Sequence, residues 1–420
     1  MKIAFFTDCF LDLTGGIVSS IAAQKQALEQ RGHTVYVLSS SFPKSLAEAK
    51  RLARAHIYPV PSCRIFGRGL TPIARRPKII ERWLMHNYPE LAEFDIFYVH
   101  YEAGCSIAGL RLARRLGIPS VQVMHGREDM GESLLVPRGF RTLVAVLLNW
   151  FHSWYLPHPV KVRRDDYLAP TLARARMWTL MVNHANAADL VLTPSAHFRD
   201  KLQHYGVTRP VKVLPNGVPD ELFTSGLAPR ALAPGEPLRL VWHSRLSGEK
   251  RPLVFLEALT LVHGNLHVDF YGAGPDLAAA RRFAWRHALP VKFHGAKPFS
   301  RIYSTIQRAH LDVLISSGYD TFGMTLIEAG SAVTPVLYVD PDMDEIVPAG
   351  GGIRATDPSA AAIAAALSDL LAHPERIEAM SRVMLTHRDA FRVSRTVDLL
   401  ERYFASISPL THESPATATS

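Results

Sequence analysis

Two carboxylates and a glycine set the first chemical constraint in this sequence. In the stretch ISSGYDTFGMTLIEAG, residues 315–330, Asp320 lies just before Gly323 and Glu328 lies inside the apolar-periodic run that follows. Leu311, Val313, Leu314 and Ile315 end a buried strand, Ser316-Ser317-Gly318 break it, and Met324, Leu326, Ile327 and Ala329 recur at helical spacing. The unit is strand, loop, helix. In an open α/β sheet ligands bind outside the carboxyl ends of the strands, and the amides of a helix N-terminus favour an anion. Gly323 permits close approach of a ligand to the backbone. One acid can then reach a polar group at the helix mouth and the other a hydroxyl further back, which suits a phosphorylated sugar. Any buried strand-helix turn can carry acids at this spacing, so the reading leans on the residues around it.

Those residues belong to a chain long enough for two domains. At 420 residues and 48% apolar, both domains can bury a core. Cys9, Cys63 and Cys105 are odd in number and lack metal-ligand spacing, which fits a reducing cytoplasm. Met1-Lys2 runs directly into IAFF, so no secretory leader is expected, and no apolar run is long enough to span a bilayer. Charge is lopsided. Residues 1–218 hold 28 basic against 16 acidic residues, net +12, and 219–420 hold 19 against 22, net −3. Eight of the basic residues fall between Arg51 and Arg82, interleaved with apolar side chains. They form a solvated face, an anionic-lipid surface or a nucleic-acid surface, and the phosphosugar loop disfavours nucleic acid.

KIAFF (2–6), a helix from Ile17 to Arg31 and TVYVLSS (34–40) make an opening βαβ unit. Gly15-Gly16, in the loop after the first strand, lack a Cβ and would let a phosphate-bearing ligand approach. FDIFYVH (94–100), a helix over 106–116 and SVQVMHGRED (120–129) follow, the last delivering His125 to a strand end beside Gly126, Arg127, Glu128, Asp129 and Glu132. DLVLTPSAHFRDKLQHYGV (189–207) and VKVLPNGVP (211–219) close this domain. Residues 220–237, with Pro229, Pro234, Gly235 and Pro237 and little periodicity, read as a linker. LRLVWHSRL (238–246) and SGEKRP restart the series, LHVDFYGAGP (266–275) and VKFHG (291–295) continue it, and TPVLYVD (334–340) follows the central motif before a helical region over 357–404.

The central motif resembles the acid, seven residues, Glu signature of the retaining glycosyltransferases of family 4, which have the GT-B fold of two facing Rossmann-like domains. Ser244-Arg245-Leu246 with Glu249-Lys250 resembles that family's Gly-Arg-Leu and Glu-Lys, and Gly272-Ala273-Gly274-Pro275 its Gly-x-Gly-Pro turn. By position, the resemblance implies that Asp320, Phe322 and Gly323 hold the donor sugar, that the Met324 and Thr325 amides hold the diphosphate, and that Glu328 takes the ribose hydroxyls. It implies a donor contact for Gly15 and Gly16, contact of His125 with the sugar's hydroxyls, and contact of the Lys292, Phe293 and His294 backbone with the nucleobase. Arg245 and Lys250 would stabilise the charge that accumulates on the diphosphate as the glycosidic bond breaks. The family's first acid is Glu and this chain has Asp320, shorter by one methylene.

The resemblance implies an α/β chain of GT-B type: residues 1–218 an acceptor-side domain to which a helix of about 388–407 returns, and 219–387 a nucleotide-sugar-binding domain; the Ser-, Thr-, Pro- and Ala-rich 408–420 reads as a disordered tail. Arg245 and Lys250 can do a metal's work, so no metal and no cofactor is expected. YPVPS (58–62), VHYEAG (99–104) and VMHGRED (123–129) fall at the spacings of the bacterial diacylglycerol glucosyltransferase branch. Residues 139–182, with an aromatic run, a Pro-His-Pro break and Lys161, Arg163 and Arg164, read either as an interfacial element or as a buried helical pair. The expectation is a retaining hexosyltransferase, UDP-glucose its donor and a membrane lipid its acceptor, peripheral on the inner face of the cell membrane. A transferase acting on a soluble or polysaccharide acceptor, a hydrolysing nucleotide-sugar epimerase of the same fold and a non-catalytic binding protein remain the alternatives.

Overall fold

Near-continuous apolar runs build two parallel sheets. The structure, a computed structural model, describes residues 1–8, 15–40, 46–63, 73–74, 76–127, 129–130, 136–223 and 226–408. Glu128, Glu132, Arg64, Arg68, Arg75 and the tail from 409 lie outside them. Two compact units result, one of residues 1–215 with 396–420 and the other of 216–395.

In the first unit the strands are β1 (Lys2–Thr7), β2 (Thr34–Ser39), β3 (Ile57–Pro59), β4 (Ser62–Cys63), β5 (Ile73–Ala74), β6 (Ile96–His100), β7 (Ser120–Val123), β8 (Leu190–Thr193) and β9 (Val211–Val213). A seven-stranded sheet runs β3-β2-β1-β6-β7-β8-β9 with every pairing parallel. Every residue of β6, β7 and β8 is buried, as expected for strands covered by helices on both faces. The antiparallel pair β4-β5 stands apart. Strands this short carry no readable alternation, and none of β3, β4 or β5 was expected from the sequence.

The 139–182 region divides. The helix Leu172–Ala185 is core: Trp178 and Met181 are fully buried on it, with Phe198 and Leu202 in the same cluster. The helix Arg141–Ser153 instead exposes Leu143, Leu147 and Trp150 at 55%, 49% and 55%, continuing from Phe140 to Trp154. The last helix, Val393–Ile407, completes the first unit. Phe404 packs edge-on against Tyr98, Tyr403 donates to the Val213 carbonyl, and Arg31 pairs with Asp398 and Glu401.

The second unit has β10 (Leu238–His243), β11 (Leu266–Tyr271), β12 (Val291–Gly295), β13 (Leu311–Leu314), β14 (Val336–Tyr338) and β15 (Gly352–Arg354). They form a parallel six-stranded sheet, β12-β11-β10-β13-β14-β15. Trp242 stacks on Phe255 and Phe270 at its centre. Asn216 to Val218 belong here because the Val218 amide donates to the Phe391 carbonyl and the Val393 amide to the Val218 carbonyl. The Gly272–Pro275 turn locks the end of β10. The Leu246 amide donates to the Ala273 carbonyl, and the Asp276 amide donates back to the Leu246 carbonyl. A Cβ on Gly274 would lie 2.3 Å from the Leu246 carbonyl oxygen. Gly274→Ala is therefore expected to destabilise the chain by about 1–3 kcal/mol, as overpacking against fixed backbone does, and thermal unfolding of the full chain measures it.

Candidate functional site

Sheet order places the site. In the second sheet the direction of strand addition reverses between β10 and β13, and ligands of open α/β sheets bind in the crevice at the carboxyl side of such a switch point. Two loops emerge there, 244–251 after β10 and 315–323 after β13. Lys250 Nζ joins them by donating to both Asp320 oxygens, at 2.6 and 2.8 Å. Ser316 Oγ donates to the same carboxylate. Arg245 is 60% exposed; its Nη2 lies 3.2 Å from the Tyr319 hydroxyl and 3.1 Å from Glu249. Arg251 ties the loops from below, donating to the Ile315 and Pro358 carbonyls.

The helix Met324–Ser331 begins at Gly323, whose φ of +67° is left-handed and favours glycine. Among the described residues no side chain caps this helix, leaving the first-turn amides that a capping group would otherwise engage. Beside them the Thr325 hydroxyl is buried without a hydrogen-bond partner among the described residues. One turn further, Glu328 faces the buried His243. His243 Nε2 lies 2.7 Å from Asp312, and its Nδ1 lies 3.4 Å from Glu328 Oε2. Burial pushes Glu328 up to about 7, with Asp312 adding to the rise and His243 opposing it. Burial pulls His243 down, but the charges of Asp312 and Glu328 and the Asp312 hydrogen bond outweigh it, so its value is raised.

The first sheet reverses between β1 and β6, and its counterpart helix, Gly104–Leu116, is filled from within. Asp8, just after β1, accepts from the Cys105 and Ser106 amides at 2.7 and 3.1 Å and from Ser106 Oγ at 2.7 Å. Burial raises the Asp8 carboxyl despite these bonds. An anion at this helix end is already supplied by the protein.

Arg245, Lys250, Asp320, Gly323, Met324, Thr325 and Glu328 thus share one end of the second sheet. The side chain of Phe322 is buried in the core cluster with Leu326 and Met343, so its backbone is the part left to face a ligand. β12 is an edge strand; Phe293 stacks on Phe270, and His294 stacks on Tyr271 while bonding Asp269. Lys292 is exposed. His125, Gly15 and Gly16 belong to the first unit. His125 Nε2 lies 2.9 Å from His100 Nδ1 with the rings stacked, and burial pulls His125 down to about 4. The polar cluster after it is in part an internal pair: Arg127 binds Asp129 through two bonds, both residues being buried. A Cβ on Gly15 would meet no described atom within 4 Å, so packing does not demand glycine there.

Residues 14–222 match the family model described as Glycosyltransferase Family 4, and residues 228–383 match Glycosyl transferases group 1. The chain belongs to glycosyltransferase family 4. This glycosyltransferase is 25% identical over 334 residues to a D-inositol 3-phosphate glycosyltransferase of Arthrobacter sp., covering 75% of this chain and 71% of that one. It is 29% identical over 126 residues to the alpha-monoglucosyldiacylglycerol synthase of Acholeplasma laidlawii, 30% of either chain. The structure of Anabaena HepE in complex with UDP and glucose superposes with a TM-score of 0.65 at 16% identity, over 97% of this chain and 100% of that one. The fold is GT-B, as the sequence implied.

Asp8, His100, His243 and Asp312 were not singled out from the sequence of this glycosyltransferase. Each sits in or beside an apolar strand and gains its partner from a distant one. Acid should destabilise the first unit. His125 and His184, the latter pulled by burial down to about 3, stay neutral in the folded state well below the ordinary histidine value. The unfolded chain takes up those protons first, so stability falls as pH drops from about 6.5, by up to about 2 kcal/mol for each group at about pH 5. Melting curves at neutral and acid pH measure the drop.

Proposed function

We propose that this glycosyltransferase takes a hexose from a nucleoside diphosphate, with UDP-glucose the first candidate, and transfers it with retention to a hydroxyl of a membrane lipid such as diacylglycerol. The uncapped N-terminus of the helix Met324–Ser331, beside Lys250 and Arg245, carries the donor assignment. The Met324 and Thr325 amides and the two cations would hold the diphosphate, Glu328 the ribose, Asp320 with the Phe322 backbone and Gly323 the sugar, and the Lys292–His294 edge the base. Lys250 carries Asp320 as an internal counter-ion, and an arriving diphosphate would share that charge. As the bond from the anomeric carbon to the phosphate oxygen breaks, negative charge builds on the phosphate, and fixed cations in a desolvated site stabilise it. The leaving oxygen then takes the acceptor's proton as the acceptor attacks the same face. Arg245 and Lys250 supply the positive charge, so turnover is independent of metal. For His125, Gly15 and Gly16 the donor roles rest on the resemblance to the family.

The lipid acceptor is supported by the exposed aromatic helix Arg141–Ser153 and by the partial likeness to a diacylglycerol-lipid synthase. Trp150 and Trp154 lie against each other with ring centroids 4.1 Å apart and planes tilted by 57°, and Lys161, Arg163 and Arg164 are exposed. Apolar rings at acyl depth with cations at headgroups suit the inner, anionic face of the cell membrane, where each basic residue adds about 1 kcal/mol.

The test is nucleotide release from a panel of UDP-, GDP- and ADP-sugars, with and without diacylglycerol in mixed micelles. Lipid-dependent release from UDP-glucose, undiminished by a chelator, is expected. Release without acceptor would indicate hydrolysis or epimerisation instead. Lys250→Met should lower turnover by about 10²–10³, the loss typical of one preorganised electrostatic group. Trp150→Ser with Trp154→Ser should weaken sedimentation with anionic vesicles while leaving nucleotide binding intact.

A further inference from the structure

Buried ionisable groups need partners, and the second unit packs three of them in a row. Asp312 on β13, His243 at the end of β10 and Glu328 on the helix Met324–Ser331 come from separate elements. The side chains of His243 and Asp312 are each 2% exposed and that of Glu328 13%. Asp312 accepts from His243 Nε2, which fixes the imidazole ring and turns Nδ1 towards Glu328. At 3.4 Å this second contact is too long for a strong hydrogen bond. The other charge acting on His243 is Lys250, itself neutralised by Asp320.

We propose that His243 is a positioning residue for nucleoside recognition: held by Asp312, it presents a proton to Glu328 and keeps that carboxylate ionised and oriented to accept the hydroxyls of a ribose. The proposal rests on the reading of Glu328 as the ribose ligand given above. Ionised, Glu328 accepts through both oxygens; protonated, it turns one of them into a donor where the diol also offers donors. Two buried carboxylates without a cation between them would favour protonation of one. A protonated His243 between Asp312 and Glu328 opposes this and holds Glu328 lower than burial alone would. Affinity for the nucleoside is then linked to pH: burial sets Glu328 near 7, and the charge on His243 stops it going higher. Binding should be full above that value and fall as Glu328 takes up a proton, and the effect belongs to the ribose.

Calorimetric titration of the full chain with UDP and GDP, each beside its 2′-deoxy analogue, from about pH 6 to about pH 9, tests this. For the wild type, the ribonucleotide should bind more tightly than the deoxy analogue, and that preference should fade as pH drops through about 7. His243→Gln should move the fade to higher pH and lower ribonucleotide affinity by about tenfold at neutral pH, the scale of one charge-assisted hydrogen bond. Glu328→Gln should abolish both the fade and the preference. A His243→Gln variant with the wild-type midpoint overturns the role of His243 while leaving Glu328 as the ribose ligand. A wild type that binds no nucleotide, or binds ribo and deoxy forms alike, overturns the reading of Glu328 and the proposal with it. Nitrogen NMR of the wild-type His243 ring with UDP bound needs no variant: a cationic ring at neutral pH is expected, and a neutral ring overturns the proposal.

Discussion

The amides at the start of a helix carry partial positive charge and have no partner in their own helix. Both units of this protein set such a helix beside the strand reversal of a parallel sheet, and they meet the demand differently. In the first, Asp8 supplies the anion and Ser106 reinforces it. In the second no side chain caps the helix among the described residues, and its N-cap is a glycine in the left-handed region. The choice of residue at one strand end thus separates a self-satisfied helix from one that no side chain caps among the described residues.

Around the open helix, charge is balanced in pairs. Lys250 is neutralised by Asp320, Arg245 lies against Glu249, and His243 sits between Asp312 and Glu328. For the members other than the exposed Arg245, isolated charges at such depth would cost several kcal/mol each, so the pairing is what allows the cluster to exist without a ligand. It also means that donor binding redistributes charge in a set already assembled. Preorganisation of this kind is where enzymes gain most of their electrostatic stabilisation. The support reaches back to the Gly272–Pro275 turn, which holds the backbone at Leu246 and with it the loop bearing Arg245 and Lys250.

Much of this was legible in the sequence, for physical reasons. Strands buried on both faces are continuous apolar runs, so β1, β2, β6, β10, β11 and β13 stand out from their polar punctuation. The loop 315–323 and the helix behind it could be read because a glycine and two acids recur at fixed offsets. What could not be read depends on distance along the chain. His243 and Asp312 are 69 residues apart, Asp8 and Cys105 97, and neither partner announces the other. Phe322 sits among site residues yet turns its ring into the core, a choice made by Leu326 and Met343. The two helices of 139–182 have similar apolar content; which one is covered was decided by the sheet beneath Trp178 and by nothing local.

The difference between the two helix ends also separates the units thermodynamically. A fold whose polar groups are satisfied internally gains nothing from a ligand it does not bind, whereas one with open amides is stabilised by RT ln(1 + [L]/Kd), about 2.7 kcal/mol at a hundredfold excess over Kd. If the proposed donor site holds, the second unit is the part of the chain whose resistance to unfolding, proteolysis and amide exchange tracks the supply of its anionic substrate. In a cell short of that substrate, turnover of the protein would begin there.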